Sequence, residues 1–141
     1  MSNRIHQHTI LRIEYADTTC ELLHNVDFFN EFLRDLVQDC LKMVICIEPR
    51  SVLVEDLTNF GLTGAVNLTT SHVAYHIFED EQVIQLDVYS CKCYDTHSLV
   101  EFIYEYLDDI IHILTINLKV MDRNDVETYD HEYARGIDQT H

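Results

Sequence analysis

Residues 65–89, AVNLTTSHVAYHIFEDEQVIQLDVY, decide the fold. They hold two β-like runs, Ala65–Phe78 and Val83–Tyr89, separated by the acidic turn Glu79-Asp80-Glu81-Gln82. Such a pair bounded by turn residues reads as antiparallel strands. The first run is long enough for two strands, with a break near Thr69–Ser71. That makes three β-like segments in succession.

The flanks extend the pattern. In residues 9–15, Leu11, Ile13 and Tyr15 alternate with Arg12 and Glu14, the period of a half-buried strand. From Asn25 to Met43 the period becomes helical: Phe28, Phe29, Phe32, Leu33, Leu36, Val37, Cys40 and Leu41 form one stripe. Asn25 or Asp27 caps its start. Met43–Glu48 reads as a short strand stopped by Pro49, and residues 50–62 as a loop. Asp95 or Thr96 caps a second helix, with Leu99, Phe102, Ile103, Tyr106 and Leu107 on one side. A last strand spans Ile113–Met121, and a loosely ordered polar tail is expected from about Asp122. The order β-α-β-(β-β-β)-α-β predicts an α/β (α+β) two-layer sandwich, with about six strands and two helices on one face. The other face then needs a partner subunit or a site, so a homodimer is expected.

Composition sets the outer limits. The 141 residues suit one domain, 1–141, and 47% hydrophobic residues are enough to build a core. Nine Lys+Arg against 25 Asp+Glu give a formal charge of −16, which repels phosphate backbones and argues against nucleic acid as a partner. No apolar run approaches the roughly 20 residues of a membrane span. The N-terminal residues lack a secretory pattern, and five cysteines make an odd count, so reduced thiols in the cytoplasm are the expectation.

Three constellations bear chemistry. His72 and His76 with Cys91 and Cys93 suggest zinc, but on a strand residues i and i+4 stand roughly 13 Å apart, beyond one ion's reach. Packed or exposed side chains are the simpler reading, and no metal is expected. Ser71, His76 and Cys91 on neighbouring strands suggest nucleophilic catalysis, against ordinary packing of the thiol. Glu79-Asp80-Glu81 is either a solvated turn or a site mouth that captures a hydroxyl or amine.

Taken together, Gly61-Leu62-Thr63-Gly64, the Thr70-Ser71-His72 to His76 strand, the acidic turn and Leu86-Asp87-Val88-Tyr89-Ser90-Cys91 resemble the small prokaryotic S-adenosylmethionine decarboxylases. The family pattern is Gly-x-Ser-Gly, Glu-Ser-His-x-x-x-His, an acidic turn and Leu-Asp-Val-x-x-Cys. The likeness runs from about His8 to Met121 and includes a Leu-Leu-x-Asn-Val helix start at Leu22–Val26. The resemblance implies self-cleavage between Thr70 and Ser71 into chains 1–70 and 71–141, with Ser71 converted to a covalent pyruvoyl group. That group would form a Schiff base with the substrate amine and act as an electron sink. His76 would assist processing, Thr63 would stand where a Ser hydroxyl supports it, and Cys91 would return a proton to the α-carbon.

The departures are as specific as the matches. Thr70 replaces the family's Glu, and Phe78-Glu79-Asp80 replaces Trp-Pro-Glu, leaving Phe78 to stack on adenine and Asp80 or Glu79 to hold ribose hydroxyls. Leu57 stands where a second aromatic belongs, with Phe60 nearby. The implied function is decarboxylation of S-adenosylmethionine for spermidine synthesis by a homodimer of cleaved protomers. The alternatives are a pyruvoyl-dependent ornithine or arginine decarboxylase, whose cationic substrate would suit an acidic pocket, and an unprocessed binding or regulatory paralogue.

Overall fold

The computed structural model describes residues 5–56 and 58–125. Its elements are β1 (Gln7–Tyr15), α1 (Val26–Asp35), β2 (Ile45–Val54), β3 (Gly61–Leu68), β4 (His72–Phe78), β5 (Val83–Ser90), α2 (Thr96–Leu107) and β6 (Ile113–Asp122). The six strands form one antiparallel sheet in the order β2-β3-β4-β5-β1-β6. The strand break anticipated at Thr69–Ser71 is the tight link between β3 and β4.

Alternation assigns the two faces. Leu11 pairs with Leu86, Ile13 with Ile84, Tyr75 with Leu86 and Val66 with Val73, and all of these side chains are buried against the helices. Helix α1 adds Phe29, Phe32 and Leu33 to this core, and α2 adds Leu99, Ile103 and Leu107. Each such burial contributes on the order of 1.5–3 kcal/mol, so the apolar stripes hold the helices on one face. The starts are capped by Asn25, whose Oδ1 accepts from the Phe28 N–H (2.9 Å), and Asp95, whose Oδ1 accepts from the His97 N–H (3.0 Å). The first helical segment widens after Asp35 into a π-helical turn over Leu36–Cys40, which keeps Leu36, Val37 and Leu41 in the core.

The expectation for residues 43–62 needs correction. Pro49 does not stop a strand, and residues 50–62 are not all loop, because β2 continues to Val54. The register shifts between Ile47 and Arg50, and β2 is an edge strand. A bulge on an edge is where proline's missing N–H is tolerated. At the other end, β6 runs to Asp122, and the Arg123 N–H donates to the His6 carbonyl (2.8 Å), so the chain is still ordered where a loose tail was expected to begin. Residues 126–141 lie outside the described residues.

The Gly61-Leu62-Thr63-Gly64 segment is explained by contact. Gly61 has φ +146°, and a Cβ there would lie 2.0 Å from the Ile77 carbonyl oxygen. A Cβ on Gly64 would lie 2.4 Å from Ser51 Oγ and 2.8 Å from the Tyr75 ring. The two glycines let β2, β3 and β4 close up around Tyr75.

Candidate active site

Ser71 lies in the β3–β4 link, 5% exposed. Its carbonyl accepts from the Leu68 N–H (2.9 Å), and its Oγ accepts from the Cys91 N–H (3.0 Å). The Thr70 hydroxyl donates to Cys91 Sγ (2.8 Å). Thr70, Ser71 and Cys91, separated by 20 residues of β4 and β5, therefore meet at one corner of the sheet. Among the described residues, positive φ outside glycine occurs at Lys42 and Gln82, so the 70–71 bond carries no left-handed strain. The fold supplies placement instead: a backbone N–H aimed at Oγ stabilises that oxygen as charge builds on it.

His76 and Thr63 are elsewhere. They face each other across β4 and β3, on the sheet face away from the helices. Thr63 Oγ1 and His76 Nδ1 are 2.5 Å apart, and the Thr63 hydroxyl donates to the Tyr75 carbonyl (3.3 Å). With its one proton used there, the hydroxyl accepts from His76 Nδ1–H, which leaves Nε2 as the basic nitrogen. Small side chains at Ala65 and Ala74, with Arg50 and Val52 alongside, leave a hollow of about 610 Å³ around this pair. Ser71 is five strand residues from His76, roughly 16 Å at the usual rise. One protomer does not bring them together.

The residues assigned to the nucleoside are at the far end of β4. Phe78 lies on the open face with its ring 6.4 Å from that of His76. Glu79 turns toward the 3-10 turn Glu21–His24, where its Oε2 is 2.6 Å from His24 Nε2. Asp80 is exposed at the tip of the β4–β5 turn. Phe60 is half-buried, its carbonyl accepts from the Glu79 N–H (3.1 Å), and its ring meets that of His24 edge-on at 5.3 Å. Leu57 lies outside the described residues. Beneath this turn the Tyr15 hydroxyl is buried with no hydrogen-bond partner among the described residues, and burial, then the charges of Glu79, Asp17 and Asp80, push its pKa up. An orphaned buried hydroxyl costs about 1–3 kcal/mol. Tyr15→Phe is therefore expected to raise the melting temperature by a few degrees; a clear fall in a thermal melt would show that the hydroxyl has a partner.

Among the described residues no three His, Cys, Asp or Glu side chains converge. Cys93 Sγ donates to Gln7 Oε1 (3.2 Å). One cluster escaped the sequence reading. On the open face Tyr89 bonds His6 Nδ1 (2.6 Å), its ring lies 5.4 Å from His72, and the Arg123 guanidinium sits 4.9 Å over it. His8 is hydrogen-bonded to Asp87 beside it. The signal was the same alternation that placed Leu11 and Ile13 inside, read one residue out of phase.

Comparison with known proteins identifies the family and the fold. The sequence profile of the family described as S-adenosylmethionine decarboxylase matches residues 7–123. An S-adenosylmethionine decarboxylase proenzyme of Clostridium botulinum is 31% identical over 48 residues, 33% of this chain and 41% of that protein. One from Oceanobacillus iheyensis is 28% identical over 78 residues, 55% of this chain and 58% of its own length. The matched stretch thus spans between two fifths and three fifths of these relatives. The crystal structure of the adenosylmethionine decarboxylase from Aquifex aeolicus shares the fold, with a TM-score of 0.63 at 19% identity over 93% of this chain and 100% of that one.

Proposed function

The chain belongs to the S-adenosylmethionine decarboxylase family, and from that premise we propose that it is a self-cleaving, pyruvoyl-dependent decarboxylase of S-adenosylmethionine. The observation that carries the reading is the corner where the Cys91 N–H reaches Ser71 Oγ and Thr70 reaches Cys91 Sγ. In processing, Ser71 Oγ attacks the Thr70 carbonyl carbon, and the 70–71 C–N bond gives way to an ester. Elimination breaks the Oγ–Cβ bond and leaves Thr70 as a carboxylate ending chain 1–70. Chain 71–141 then takes up water and loses ammonia, and residue 71 becomes the pyruvoyl group.

The corner fits that group: residue 71 is enclosed, and a thiol stands one hydrogen bond away through Thr70. A pyruvoyl carbonyl there supplies a sink for the electron pair left on the α-carbon when CO₂ departs. Cys91 delivers the proton that replaces CO₂, a task suited to a thiol, which is mostly protonated near neutral pH. Phe78 and Phe60 offer flat faces to adenine, and Asp80 offers its carboxylate to ribose. The product would donate aminopropyl groups for spermidine synthesis, in the cytoplasm.

The separation along β4 makes the homodimer part of the chemistry. Ser71 lies roughly 16 Å from His76 and about 25 Å from Phe78 and the turn, further than one small molecule reaches. A two-fold axis across β4, with the open faces together, sets one protomer's Ser71 corner over its partner's Thr63–His76 hollow and nucleoside end. Such an isologous contact repeats itself twice and completes two sites.

Intact mass spectrometry of the purified protein is the test. Fragments 1–70 and 71–141, the second with a blocked N-terminus, are expected. One full-length species that persists on long incubation would leave a binding or regulatory protein.

A further inference from the structure

We infer that His24 is a positioning residue for the substrate: it locks the β4–β5 turn and Phe60 in the geometry that receives the nucleoside end. The inference rests on the decarboxylase reading and adds a residue that the reading did not contain. His24 makes two contacts from one ring. Its Nε2 is 2.6 Å from Glu79 Oε2, and its face-to-edge contact with Phe60 has the centroids 5.3 Å apart at 88°. The Glu79 N–H is itself bonded to the Phe60 carbonyl (3.1 Å), so the three residues close a ring of contacts. Glu79 is thereby committed to His24, which leaves Asp80 as the turn's carboxylate for ribose hydroxyls. On its other side the turn is held by Gln82, whose Nε2 donates to the Tyr15 carbonyl (3.1 Å). Without His24 the turn keeps its backbone bonds to Phe60 and Tyr15 and the Gln82 tether, but the Glu79 side chain and the Phe60 ring lose their lock, and Phe60 and Asp80 gain freedom that binding must remove.

The test uses the cleaved enzyme with His24→Ala and His24→Gln. His24→Ala is expected to raise KM for S-adenosylmethionine roughly tenfold, the scale of one lost hydrogen bond to a carboxylate. The inhibition constant of adenosine should rise by a similar factor. The value of kcat and the extent of cleavage at 70–71 should hold, because His24 acts on the turn through Glu79 and Phe60 and has no part in the steps at residue 71. His24→Gln, whose amide donates to Glu79, should recover most of the affinity. An unchanged KM in an active wild-type background overturns the inference and spares the decarboxylase reading. A joint fall of kcat, cleavage and melting temperature overturns it too, by showing a general structural role. A wild-type protein that neither cleaves nor releases CO₂ defeats the reading itself, and this inference with it.

Discussion

Ser71→Ala and His76→Ala chains, each made alone, remain full-length; made together, they yield fragments 1–70 and 71–141. The expectation follows from β4. On the proposed reading its length separates two halves of the processing machinery, the nucleophile at residue 71 and the imidazole at residue 76, which faces away from the helices and is held by Thr63. Ser71→Ala removes the attacking oxygen but leaves His76, Thr63 and their hollow intact. His76→Ala removes the base but leaves Ser71 under the Cys91 N–H. In a mixed dimer the His76→Ala chain meets its partner's intact imidazole and is cut. With random pairing, about half of the His76→Ala chains sit in such dimers. Mass spectrometry distinguishes the chains, and only the His76→Ala chain should be cleaved. Normal cleavage of His76→Ala alone would remove His76 from processing. Failure of the mixture to cleave would end the two-chain arrangement.

Cys91→Ala should divide the two activities that Ser71 serves. Processing draws on the backbone N–H of residue 91, 3.0 Å from Ser71 Oγ, and alanine keeps that donor. Turnover draws on the thiol, and alanine lacks it. Cleavage should proceed, while CO₂ release falls by about 10²- to 10⁴-fold, the range associated with losing a placed acid. The comparison needs only a gel for the fragments and a trapped-CO₂ assay for the reaction. Full turnover in the variant would show that another group protonates the α-carbon.

The sheet could be read because alternation is local. Leu11, Ile13 and Tyr15 announce β1 with no help from the rest of the chain, and the helix stripes and the caps at Asn25 and Asp95 are equally self-contained. Residues 49–54 mislead because proline ordinarily terminates a strand, whereas its tolerance beside a register shift on an edge strand depends on neighbours elsewhere in the chain. That Thr70, Ser71 and Cys91 belong together was legible through motif spacing, and the fold brings the three to one corner. His24 was not: its partner Glu79 is 55 positions on, and nothing in a Leu-Leu-His-Asn-Val helix start announces that contact. The strand arithmetic that excludes a zinc ion shared by His72 and His76 also parts Ser71 from His76. Motif spacing had grouped residues that geometry assigns to different ends of β4.

On the proposed reading β4 would hold nucleophile and imidazole roughly 16 Å apart, and a newly made chain would be inert in isolation. Its maturation would then be a second-order event, paced by encounter with another copy, so a burst of synthesis would switch itself on while sparse molecules would wait as precursor. The length of one strand would thus act as a threshold on how much protein must accumulate before any of it works.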